Sequence, residues 1–198
     1  MKNKNQFSPQ IDLKFKICVS GAADTSHCKA EAMAKAIELG KEIARHNIVL
    51  VQGATTGFPL WAAKGAKEAG GFVVGVSPAS SEKEHIKEYN LPLEYTDIIL
   101  YTGFGYSGRN LLLTRMADAV IVGCGRMGTV NEFTIAFEDK KPIGVLEGDW
   151  ETDELIKTIV EKSHRAEEMK GKIIYSSDPE ELVNKIIELI RREKVIKM

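Results

Sequence analysis

Seven short runs rich in valine and isoleucine recur along the chain, and they do not alternate apolar with polar residues. They are Phe15–Ser20, Ile48–Gln52, Phe72–Ser77, Asp97–Thr102, Ala119–Val122, Pro142–Leu146 and Ile173–Tyr175. A strand with one wet face alternates, whereas a continuous apolar run is buried on both faces. Amphipathic stretches separate the runs: Lys29–Arg45, Phe58–Ala69, Arg109–Met116, Val130–Glu138, Asp153–His164 and Pro179–Arg192. Strands alternating with helices impose right-handed crossovers. The pattern therefore predicts a Rossmann-like, doubly wound α/β fold. Its mainly parallel sheet has about seven strands, with helices on both faces. Residues 1–198 read as one domain, with 1–12 as a loose tail and 78–94 as the longest loop. The ending IIELIRREKVIKM reads as a charged amphipathic helix.

With 198 residues the chain can bury one full core but not two ordinary ones. Lys+Arg 27 against Asp+Glu 28 leaves a net charge of −1. That balance argues against nucleic acid or an anionic membrane as the main partner. No apolar run is long enough to span a bilayer, and the first residues lack an apolar signal region, so a cytoplasmic protein is expected. Cys18, Cys28 and Cys124 follow no metal spacing, and the expected state is the reduced thiol.

In such a sheet, ligands bind beyond the C-terminal ends of the strands. Four strand ends carry small or hydroxylated residues. Gly21 follows the first, and Gly53, Thr55, Thr56 and Gly57 follow the second. Gly103 to Asn110 follows the fourth, and Gly123 to Glu132 the fifth. Four such loops on one edge predict a ligand crevice. The fifth is the most informative: AVIV stops at Gly123, Gly125 and Gly128, with Thr129 at a helix start. Backbone N–H groups there point outward, and the macrodipole favours an anion such as phosphate.

Glu132 is an odd companion for that anion. Thr129 and Glu132 have capping-box spacing, which would turn the carboxylate back on its own backbone. Otherwise Glu132 faces the crevice and handles protons or a sugar hydroxyl, and then needs a cationic partner. Arg109, read at the start of a helix after a glycine loop, suits that role or a phosphate oxygen. Asn110 beside it could cap or bind. Arg126 could lean over a ligand or lie in solvent, and Arg115 and Asp118 read as a local ion pair.

Gly123-x-Gly-x-x-Gly128 also matches the dinucleotide fingerprint, with Glu147 ending the next strand. Gly103-x-Gly-x-x-Gly108 matches it equally, so the pattern discriminates poorly in this chain. His27-Cys28 and Cys124 lie in two loops of the same edge and could meet. A metal centre asks for more ligands at firmer spacing, so no metal site is expected. His46, His85 and His164 read as surface residues, and no Ser-His-Asp arrangement is present.

At these residues, over about 15–150, the chain resembles the LONELY GUY (LOG) family, once called lysine decarboxylase-like. That family carries a Pro-Gly-Gly-x-Gly-Thr-x-x-Glu motif on a Rossmann-like fold. The likeness runs through Leu50 to Gly57, Gly65 to Pro78, Arg109, and Gly128 to Glu132. It implies a phosphoribohydrolase, which cleaves a nucleoside 5′-monophosphate to free base and ribose 5-phosphate. Arg109 and Glu132 would then be catalytic. The backbone of Gly125, Arg126, Met127, Gly128 and Thr129 would grip the phosphate. Two elements depart from the family pattern: Cys124-Gly125-Arg126 replaces Pro-Gly-Gly, and Gly108-Arg109-Asn110 replaces Glu-Arg-Lys. In these the chain looks like a branch that includes molybdenum-cofactor carrier proteins. The resemblance thus implies a phosphorylated nucleotide or a molybdopterin-type ligand, no required cofactor, and a homo-oligomer, dimer or tetramer. The alternative to hydrolysis is a non-catalytic carrier.

Overall fold

A computed structural model describes residues 13–194. All seven strands pair in parallel in one sheet: β1 Lys16–Ser20, β2 Val49–Gln52, β3 Val73–Ser77, β4 Ile98–Tyr101, β5 Ala119–Val122, β6 Ile143–Leu146 and β7 Ile173–Ser176. The spatial order is β4-β3-β2-β1-β5-β6-β7. The chain winds outward from β1 in one direction, then returns to lay β5 on its other side. β1 therefore pairs with β2 through Cys18↔Val51 and with β5 through Cys18↔Val120. The reversal between β1 and β5 opens a crevice above their C-terminal ends, where ligands of such sheets bind.

The doubly buried strands are as expected from their composition. Ile17, Val19 and Ile121 pack on one face, against α1 (Glu31–Arg45), α2 (Phe58–Glu68) and α7 (Pro179–Glu193). Cys18, Val120 and Val122 pack on the other, against α4 (Gly105–Met116), α5 (Met127–Glu138) and α6 (Thr152–Lys162). Each fully buried Leu, Ile or Val side chain contributes roughly 1.5–3 kcal/mol. The expected tail 1–12 and the last four residues of the amphipathic ending lie outside the described residues.

Three sequence expectations are corrected here. The stretch 78–94 contains a short helix, α3 (Glu82–Lys87), whose N-cap Ser81 accepts from the Glu84 N–H. Its His85 is fully buried rather than on the surface. The Ser77 hydroxyl contacts Nδ1 at 2.8 Å, and Nε2 donates to the Pro92 carbonyl at 2.9 Å. The ion pair read between Arg115 and Asp118 is not formed. Arg115 reaches Asp139 at 3.1 Å, while Asp118 binds Lys16 at 3.1 Å and Lys194 at 3.2 Å. The strand turns Asp118 back to the β1 edge, and α5 ends within reach of Arg115. A short 3₁₀ turn, Ala166–Met169, precedes β7. Among the described residues no helix is long and apolar enough to cross a membrane.

Candidate functional site

A cavity of about 300 Å³ occupies the crevice between β1 and β5. Gly21, Gly53, Thr55, Arg109, Asn110, Arg126, Gly128, Thr129 and Glu132, all expected from the sequence, line it. Asp24 and Tyr106 line it too.

Two chain segments begin earlier than their periodicity suggests, and both shifts matter. α4 starts at Gly105, which moves Arg109 a full turn into the helix and buries it to 6% exposure. α5 starts at Met127, so the N–H groups of Met127, Gly128 and Thr129 are first-turn donors without an intrahelical partner, and Gly128 and Thr129 line the cavity. The Thr129 hydroxyl is buried and has no hydrogen-bond partner. The capping box is therefore not formed. Glu132 turns away from its own helix because Ser20, Arg109 and Asn110 meet it across the crevice.

Glu132 is only 6% exposed. Its Oε2 accepts from the Ser20 hydroxyl, and Arg109 Nη1 stands 3.4 Å from Oε1. The Asn110 amide, with its nitrogen turned toward acceptors, donates to Glu132 Oε1 at 2.9 Å and to the Tyr106 carbonyl at 3.0 Å. Burial pushes the Glu132 carboxyl above its ordinary value of 4.5, against the opposing pull of Arg109 and Ser20. Arg109 in turn has a buried Nε without a partner, and its guanidinium lies 5.9 Å from the Tyr106 ring centroid. The site thus holds a carboxyl whose pKa is raised by burial, a cation and two unfilled donors in one pocket. At the mouth, Arg126 Nη1 binds Asp24 at 2.7 Å, with both side chains exposed.

The other expected residues, Thr56, Gly57, Gly123, Gly125 and Met127, lie outside the cavity lining, and Gly21 shapes it from below together with Gly123. A Cβ on Gly21 would stand 2.7 Å from the Phe58 side chain, and one on Gly123 would stand 2.1 Å from its ring. These two glycines make room for a phenylalanine under the crevice. The Thr56 hydroxyl donates to the Ala23 carbonyl at 3.1 Å, and Gly57 sits at the N-cap of α2. The Gly125 N–H donates to Thr152 Oγ1 at 2.9 Å, and the Met127 side chain is 78% exposed. Glu147 pairs with Lys157 at 2.6 Å, outside the cavity lining.

Cys28 and Cys124 form a disulfide, which corrects the expectation of reduced thiols. Folding places the loop after β1 against the loop after β5, with the two Cα atoms 6.0 Å apart. Cys18 stays a free thiol, and burial raises its pKa well above 9.0, which leaves it unreactive. Ser20 and Tyr106 carry site roles that sequence reading did not assign. The signal available was position alone: Ser20 is the last residue of the central strand, and Tyr106 lies in the glycine loop that opens α4.

Known proteins with this architecture sharpen the assignment. An uncharacterised protein of Archaeoglobus fulgidus is 30% identical over 131 residues, covering 66% of this chain and 81% of that protein. The molybdenum cofactor binding protein of the phototrophic bacterium Rippkaea orientalis is similar in structure, with a TM-score of 0.69 and 27% identity. That match covers 91% of this chain and 98% of that one. The molybdenum cofactor carrier protein of Chlamydomonas reinhardtii matches with a TM-score of 0.71 and 27% identity, covering 90% of this chain and 99% of that one. The model of the SLOG cluster4 family matches residues 14–183. On that match, which spans the whole sheet and every residue of the crevice, the chain belongs to the SLOG cluster4 family.

Proposed function

We propose that the protein binds a phosphorylated nucleotide at the C-terminal edge of the sheet and hydrolyses its N-glycosidic bond. The observation that carries this reading is Glu132, a buried carboxyl with a raised pKa opening on the same cavity as an unpartnered Thr129 hydroxyl. The free N–H groups of α5 and the Thr129 hydroxyl receive the phosphate. Arg126 adds positive charge at the mouth. The ribose then lies over Glu132 and Arg109, and the exposed Tyr106 ring offers a face to the base.

Glu132 in its protonated form passes its proton to the leaving base as the C1′–N bond breaks. Water adds to C1′ and returns a proton to the carboxylate, so the group is regenerated. Ser20 and Asn110 hold the carboxyl in position during both transfers.

Release of free base from a panel of nucleoside 5′-monophosphates, lost in Glu132→Gln, is the expected result. No release from any member of the panel would overturn hydrolysis.

One observation favours a second reading, a non-catalytic carrier of a phosphorylated cofactor such as a molybdopterin. Both Glu132 oxygens are already engaged by protein groups, as befits a holding site. The two structural relatives named above bind or carry molybdenum cofactor. Tight binding of a phosphorylated pterin with no turnover would select it.

The expected homo-oligomer finds support in a patch of exposed apolar residues. Ile98 and Leu100 on the edge strand β4, with Phe104, Leu111 and Leu112 on and before α4, are each more than a third exposed. Light scattering at a mass above one chain would agree with that reading.

A further inference from the structure

Beside the cavity, the loops after β1 and β5 gather three side chains able to hold a metal. The ligand atoms of His27, Cys28 and Cys124 all lie within 4.8 Å of one another. His27 Nε2 stands 3.5 Å from Cys124 Sγ and 3.9 Å from Cys28 Sγ. We propose that these residues form a redox-gated site for a thiolate-seeking divalent cation of the zinc class. It is closed while the disulfide stands and opens on its reduction.

The distances carry the argument. Tetrahedral zinc, with sulfur at about 2.3 Å and nitrogen at about 2.1 Å, sets each nitrogen roughly 3.6 Å from each sulfur. The imidazole nitrogen, at 3.5 and 3.9 Å, stands close to that separation from both sulfurs. Only the sulfurs must part, to roughly 3.8 Å, which the same geometry requires. Their Cα atoms, 6.0 Å apart, allow this by side-chain rotation.

Three ligands leave a fourth position for water or an external ligand. His27 is exposed, and it lines a second, open cavity of about 720 Å³ with Gly125, Trp150 and Thr152. That cavity gives the entry path. Nε2 now contacts the Gly125 carbonyl at 3.1 Å, and the cation replaces that contact.

The chemistry balances with a phosphine or dithiol as reductant. Two electrons enter the S–S bond and two protons complete the thiols. The phosphine leaves as its oxide, its oxygen coming from water, or the dithiol leaves as a disulfide. Cation binding then displaces both thiol protons, and imidazole binds as the neutral ring. Two thiolates cancel the charge of the dication, so a neutral unit forms against the anion-binding loop.

The test uses the full chain, reduced with a phosphine, freed of it, and titrated anaerobically with Co²⁺ as a spectroscopic probe. The expected result is one equivalent bound with a thiolate-to-cobalt charge-transfer band, displaced by Zn²⁺ and absent from the oxidised protein. Cys124→Ser, which leaves one thiolate, weakens cobalt binding and at least halves the band at saturation. His27→Gln, at an exposed position where folding is not at stake, weakens binding by more than the roughly 10–100-fold that loss of an outer partner costs. Absence of the band from reduced protein would overturn the site. So would His27→Gln and Cys28→Ser variants, folded by circular dichroism, that bind cobalt as tightly as the parent.

Discussion

Gly53 is the space in which Arg109 rests: a Cβ at residue 53 would stand 1.8 Å from the guanidinium Nη1. The loop after β2 and the helix after β4 are thereby fitted to each other at one atom. The requirement is for absence of a side chain beside a buried cation.

Gly53→Ala is therefore expected to push the guanidinium from Glu132 and into the cavity that it lines, where it takes up ligand space. Isothermal titration with a nucleoside monophosphate should show affinity reduced by tenfold or more, which is about 1.4 kcal/mol at 25 °C. Unchanged affinity would mean that Arg109 has no part in binding.

Glu132 links the site to pH. Its folded pKa lies above 4.5, so between 4.5 and that pKa the folded state holds a proton that the unfolded chain has released. Stability from this group is present below 4.5 and is lost as pH rises through the folded pKa. Urea unfolding between pH 4.5 and 8 should show the parent losing stability relative to Glu132→Gln, which cannot titrate. Parallel profiles for the two proteins would contradict the assignment.

Asp24 competes with any anion for Arg126, and hydrogen bonds from Ser26 and Arg126 hold its own pKa below 3.8. It stays charged at neutral pH. Asp24→Asn should free the guanidinium and tighten binding of inorganic phosphate or a nucleoside monophosphate several-fold. The gain should shrink at high salt, because both partners are solvent-exposed. Weaker binding in this variant would show that Asp24 positions Arg126 rather than restraining it.

The Cys28–Cys124 disulfide closes a separation of 96 residues. Tethers of that span stabilise domains by about 2–5 kcal/mol. Reduction, or Cys28→Ser, should lower the melting temperature by several degrees or more, at roughly 2–4 °C per kcal/mol for a chain of this size. Calorimetry with and without a phosphine reductant measures it.

His85 is expected to matter for folding, not for ligand. Replacing it with leucine takes the ring nitrogens from the Ser77 hydroxyl, which keeps the Ala79 N–H, and from the part-buried Pro92 carbonyl, at a cost of about 1–3 kcal/mol in all. The denaturation midpoint should fall while nucleotide affinity is retained. A fall in affinity alone would give this ring a site role.

The sheet was legible because its strands depend on burial on both faces, and Val/Ile runs state that directly. Glu132 and Arg109 could be named from their motifs, since glycine-rich strand ends at the reversal of strand order converge wherever this fold forms. The capping-box spacing of Thr129 and Glu132 misled because it is a local signal. The Ser20 hydroxyl and the Arg109 charge come from other strands' ends and win the carboxylate. His85 misled for the opposite reason: polar neighbours in sequence say nothing about a ring folded under Pro92. The disulfide had no local signal at all, since its partners meet only after β5 is laid beside β1.

Phe58, wedged beneath Gly21 and Gly123, has a consequence for divergence within the family. Positions 21, 58 and 123 share one allotment of volume, so a methyl gained at either glycine must be matched by carbon lost from the ring. Gly123→Ala alone should be costly, and the same change beside Phe58→Leu far less so. Relatives are then expected to change these positions together, and a mismatch among the three would mark a crevice floor of different shape.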